Sequence, residues 1–67
     1  MINFREFGTR YELNNKKEVI YFNVSPFDFY PVVKDKNGNL YKVKEDNYLY
    51  EYYTNKQTNL KIIKEIK

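Results

Sequence analysis

The sequence predicts an all-β fold, a small antiparallel meander of five to six strands with one short helical turn near residues 25–30. Three observations carry that prediction. Asn37-Gly38 lies between two alternating runs, Tyr30–Asp35 and Leu40–Lys44, and a type I′ hairpin turn needs φ > 0 at both central positions, which Asn tolerates and Gly adopts freely. Alanine is absent, while Tyr, Phe, Val, Ile and Thr are plentiful and Asn recurs, a composition that favours strands and turns over helix. Phe and Tyr supply 19% of a 67-residue chain that has neither cysteine nor histidine, so large rings stand in for disulfides and for zinc sites of the Cys/His kind. A chain of this length forms one domain, residues 1–67, and buries only about 60% of the surface its unfolded form exposes.

Taking the elements in order, Met1–Phe7 alternates without a clean apolar face and reads as a weak strand or a docking arm, ended by Gly8. Thr9–Leu13 and Glu18–Val24 flank the polar tetrad Asn14-Asn15-Lys16-Lys17. Closing that tetrad sets Leu13 opposite Glu18 and Tyr11 opposite Ile20, with Tyr11, Leu13, Ile20, Phe22 and Val24 on the core side. In the segment Ser25–Pro31, Ser25 can cap a helical turn, Pro26 fits its first position, and Asp28 suits the exposed N–H groups. That turn carries Phe27, Phe29 and Tyr30 either as a plug for one end of the barrel or as an exposed anchor for a partner protein.

A two-residue Asn37-Gly38 loop pairs Lys34 with Tyr41 and Val32 with Val43, placing Tyr30, Val32, Tyr41 and Val43 inside and Val33, Lys42 and Lys44 outside. The next loop has two closures. With Asp46-Asn47 alone, Tyr48, Tyr50 and Tyr52 face the core; with three residues, Leu49, Glu51 and Tyr53 do. Burying an unpaired Glu51 would cost several kcal/mol, on the order expected for an uncompensated carboxylate, so the first closure is favoured. Beyond a polar turn at Thr54–Asn59, LKIIKEIK fits both a strand and a helix by periodicity. The strand is preferred because isoleucine is β-branched and a last strand would cover a bare sheet edge. The resulting architecture resembles an SH3-like or OB-like small barrel, in shape alone.

Functional expectations follow from what is missing as well as what is present. Without histidine or cysteine, and with Ser25 as the one serine, nucleophile and base pairs have no members, so no enzyme, no catalytic residue, no cofactor and no metal is expected. No apolar run approaches the ~20 residues of a membrane span, and the amino terminus lacks a signal-peptide pattern, which places the chain in the cytoplasm. Lys, Asn, Ile, Tyr and Phe can all be read from A/T-only codons, so their joint excess points to an AT-rich bacterial or phage genome and inflates the lysine count behind the net charge of +3.

The leading expectation is a phage or mobile-element accessory that docks on a protein and acts by occlusion, as an inhibitor or adaptor, through Phe27, Asp28, Phe29, Tyr30, Tyr48, Tyr50 and Tyr52. The alternative is single-stranded nucleic-acid binding through Lys42, Lys44, Leu49 and Tyr53, rings for bases and amines for phosphates. A third reading is a homodimer or larger homo-oligomer that pairs exposed strand edges.

Overall fold

The computed structural model describes residues 4–67, so Met1, Ile2 and Asn3 of the expected amino-terminal arm lie outside the described residues. Six strands run in order, β1 (Arg10–Leu13), β2 (Glu18–Val24), β3 (Pro31–Lys34), β4 (Leu40–Val43), β5 (Tyr48–Glu51) and β6 (Gln57–Ile66). Each pairs antiparallel with the next, and β6 returns to pair with β1, closing a barrel. The all-β meander is therefore as expected, with the last segment a strand that starts at Gln57 rather than after Asn59. Closure gives every strand two partners, leaving the edge-pairing route to oligomers no unpaired strand among the described residues.

Two turn designs build all five hairpins. In the β1–β2, β3–β4 and β4–β5 connections the loop has three residues, with the last in the left-handed region: Lys16 (φ 71°), Gly38 (φ 85°) and Asn47 (φ 65°). Each starts with the same short bond. The N–H of Lys16 donates to the Leu13 carbonyl (2.9 Å), that of Gly38 to Asp35 (3.1 Å) and that of Asn47 to Lys44 (2.9 Å). This is a type I turn followed by a left-handed residue, whose twist suits a hairpin as well as type I′ does. In the β2–β3 and β5–β6 connections the loop has four residues, closed by Phe29 N–H to the Ser25 carbonyl and Asn55 N–H to the Glu51 carbonyl (2.9 and 2.8 Å), with Phe29 (φ 61°) and Asn55 (φ 60°) left-handed. The helical turn expected at 25–30 is thus a single α-turn within a hairpin loop, and no 3₁₀ helix forms.

The three-residue turns shift each expected register by one position, and a shift of one exchanges the faces of a strand. Tyr11 pairs with Val19 and Arg10 with Ile20, so Val19 and Tyr21 point inward in place of Ile20 and Phe22. Val33 pairs with Tyr41 and enters the core, while Val32 lies outside, buried between Asn23 and Lys42 on the flanking strands. Val43 pairs with Leu49, which is completely buried, so Tyr48, Tyr50 and Tyr52 leave the interior assigned to them. Glu51, which argued for the other closure, escapes burial because β5 ends there: it sits at the barrel rim, exposed, and accepts a hydrogen bond from the Thr54 hydroxyl (2.7 Å).

The core comprises Tyr11, Leu13, Val19, Tyr21, Val33, Val43, Leu49 and Ile62, with Phe4, Val24, Tyr41 and Leu60 packed around it. Phe4 lies 4.8 Å from the Tyr11 ring and 5.1 Å from that of Tyr21, in tilted and edge-on contacts. Phe4 therefore takes the place of the plug that was one of the two readings of Phe27 to Tyr30. Among the described residues no helix is long and apolar enough to cross a membrane.

Candidate functional site

Two surfaces stand out, and the first is the loop Pro26–Phe29. Pro31 can open β3 because its missing N–H costs nothing at the first position of a strand. The loop is braced at its neck, where Ser25 N–H donates to the Tyr30 carbonyl (2.9 Å), and at its middle, where Lys42 Nζ donates to Asp28 Oδ2 (2.8 Å). The Lys42 side chain is mostly buried, which makes this a firmer anchor than a solvated ion pair. The buried Ser25 hydroxyl faces the Asp28 carboxylate and favours its charged form without completing a well-formed hydrogen bond.

With the backbone so held, Phe27 and Phe29 project into water, 88% and 77% exposed. Both features are locally unfavourable. Each exposed ring forgoes the ~1.5–3 kcal/mol that burial would contribute, and a bulky residue in the left-handed region carries strain of order 1–3 kcal/mol. Of the five left-handed hairpin positions, Gly38, Asn47 and Asn55 have residues suited to them, whereas Lys16 and Phe29 do not.

Asp28 also sets a pH response. Hydrogen bonding from Lys42, helped by the facing Ser25 hydroxyl and the Tyr30 amide, lowers its carboxyl from 3.8 to about 2. Because the folded state holds the proton less tightly than the unfolded chain, this contribution to stability is complete above the ordinary value and is lost as pH falls from 3.8 to about 2. Asp46, hydrogen-bonded by Tyr50, is lowered in the same direction, as is Asp35, where bonds from Asn39 and nearby amides outweigh the opposing push of burial. Acid titration followed by circular dichroism is expected to show wild type losing stability across that window. Asp28→Asn should lose less, the two curves converging at the acid end.

The second surface is the outer face of β3, β4, β5 and β6. The register that buries Leu49 brings Tyr48 and Tyr50 outside, beside Lys42 and Lys44. Lys44 Nζ lies 4.3 Å from the centre of the Tyr50 ring and 5.5 Å from that of Tyr30. Lys42 approaches Tyr52 (5.5 Å), Lys61 approaches Tyr48 (5.4 Å), and at the β2–β3 margin Lys34 approaches Phe22 (5.3 Å). Cation–π contacts of this exposed kind contribute roughly 0.5–1 kcal/mol each and, more importantly, hold flexible lysine stems against rings. Tyr50 donates its hydroxyl proton to Asp46 Oδ2 (2.7 Å), which raises its pKa; the Glu45 charge raises that of Tyr30.

The expected site residues thus regroup. Lys42 and Lys44 share a face with Tyr30, Tyr48, Tyr50 and Tyr52. Leu49 leaves the nucleic-acid set because it is fully buried, and Tyr53, 86% exposed, lies on the 52–55 loop with its ring edge-on to Tyr52 (5.0 Å). Phe22, Lys34 and Lys61 were missed; their contacts cross β2–β3 and β5–β6, the two pairs joined by four-residue loops. Among the described residues no three Asp or Glu side chains are placed to share a metal ion. Compared with known proteins, the chain matches no family model, no curated protein and no solved structure.

Proposed function

We propose that this chain is a non-enzymatic protein-binding module of the cytoplasm, an accessory of phage or mobile-element type, that inserts Phe27 and Phe29 into an apolar pocket of a partner and acts by occlusion. The observation that carries this reading is the braced loop: two phenyl rings held in water on a backbone that is strained at Phe29 and tied down at Ser25 and Asp28. A preorganised loop loses little further entropy on docking, and aromatic anchors of this kind supply the central contacts of interfaces. Backbone strain concentrates at such positions because the surrounding structure compensates for it.

The test uses Phe27→Ala and Phe29→Gly. Glycine at position 29 relieves the left-handed strain, so Phe29→Gly is expected to melt higher than wild type, by about 1 kcal/mol, while both variants lose at least ~2 kcal/mol of partner affinity. The measurement pairs a thermal melt with quantitative capture from host lysate by wild type and by each variant. Equal recovery of one stoichiometric protein by wild type and by both variants overturns the reading, as does recovery of none.

A further inference from the structure

The lysine–tyrosine face adjoins the Phe27–Phe29 loop, to which the Lys42–Asp28 bond ties it, and differs from it in charge. Carboxylates cluster at the loop end, where Asp28, Glu45 and Asp46 lie, two of them engaged by Lys42 and Tyr50. On the other side of the barrel, Glu12 and Glu18 of the outer β1–β2 surface are matched by Lys64 (3.9 Å) and Arg10 (3.3 Å). The outward strand positions of β3, β4 and β5 carry lysine, tyrosine, valine and leucine and no carboxylate, and Glu45 and Asp46 border this face beside Tyr30 and Tyr50. Of the four lysines on this face, Lys42 is neutralised by Asp28, whereas Lys34, Lys44 and Lys61 make no salt bridge among the described residues and rest on rings.

We infer that this face binds single-stranded nucleic acid, with bases on Tyr30, Tyr48 and Tyr50 and phosphates at Lys34, Lys44 and Lys61. A ring supplies a π-face that any base can stack on, and an adjacent amine meets the phosphate, the pairing that sequence-tolerant single-strand binders use. Tyr30, immediately before β3, and Tyr50 of β5 flank Lys44 on segments two strand spacings apart, about 10 Å, some three times the ~3.4 Å rise between stacked bases, so bases on these rings are splayed rather than stacked on one another. A duplex cannot present them in that way. Among the described residues no helix or free ribbon protrudes to enter a major groove. An acidic polypeptide would use the lysines but leave the rings unemployed, which separates the two occupants experimentally.

The experiment is fluorescence anisotropy with a dye-labelled oligothymidine of about 15 nucleotides. Saturable binding is expected at about 50 mM salt, weakening roughly twenty-fold by about 200 mM, the response to release of about three phosphate counterions. Tyr50→Ala is expected to weaken binding at least ~5-fold through lost stacking. Tyr50→Phe retains the ring and should retain binding, and Lys44→Glu, a change at a solvent-facing position, should abolish it with the circular dichroism spectrum unchanged. Phe27→Ala leaves it intact. Absence of saturable binding at the lower salt overturns the inference. So does wild-type affinity in both Tyr50→Ala and Lys44→Glu, or competition by polyglutamate with Tyr50→Ala silent, which would assign the face to acidic polypeptides.

Discussion

Replacing Leu49 by alanine is expected to destabilise the fold by about 2–5 kcal/mol, because the side chain is completely buried in a core too small to collapse around the gap. A domain of this length has roughly 3–10 kcal/mol in total, so the variant forfeits a large part of it. Its neighbour gives the contrast. Tyr50→Ala removes one hydrogen bond to Asp46 and a lysine contact on the outer face, and should cost only about 1 kcal/mol. Urea unfolding of both variants, read as shifts in midpoint at constant slope, checks the ranking. The reverse order would mean that the β4–β5 loop closes with two residues and that the tyrosines, not Leu49, fill the barrel.

The second large effect is expected at Phe4. Its ring closes one end of the barrel against Tyr11 and Tyr21, and its removal should cost about 2 kcal/mol, less than a fully buried phenylalanine because it is only partly enclosed. Phe27→Ala, by comparison, should stay within about 0.5 kcal/mol of wild type, since that ring contributes nothing to the core. Thermal unfolding of the two variants side by side reports which phenylalanine serves as the plug. A loss at Phe27 matching that at Phe4 would contradict the exposure on which the docking loop depends.

The number, order and direction of the strands were legible from composition and from the placement of polar clusters, because those depend on coarse propensity. Register was not, because it turns on a single loop residue: three where two were read at β3–β4 and β4–β5, and three where four were read at β1–β2. Asp35-Lys36-Asn37-Gly38 held the information: Asp at the first position of a type I turn and Gly at the last mark a three-residue hairpin loop, and Asp35 Oδ1 accepts bonds from the Asn37 and Asn39 amides as that turn requires. Asn37-Gly38 read as a pair concealed it. At Lys16 nothing in the residue type announces a left-handed conformation; the tertiary demand for Val19 and Tyr21 inside imposes it. Glu51 misled for a different reason, since strict alternation counts it as interior although the strand stops at that residue.

For the candidate surfaces the same slip had the larger consequence. Lysines 42 and 44 were placed outside correctly, but their ring partners were assigned to the interior, so a face on which amines and tyrosines interleave was read as two unrelated sets. Phe27 and Phe29 were legible as candidates because a short polar loop that carries two phenylalanines is conspicuous in any frame. The choice between plug and exposed anchor was not, because Phe4, the residue that makes them unnecessary to the core, lies in a segment whose alternation pointed nowhere.

Seating the last strand between the first and the fifth hides the hydrogen-bonding edges of a chain rich in tyrosine and isoleucine. When β6 detaches, it bares an edge on β1 and another on β5 at once, and releases an isoleucine-rich ribbon interrupted only by the charges at Lys61, Lys64 and Glu65. That release is the step that would limit any growth of cross-β fibres, a partial opening that exposes less than melting the whole molecule.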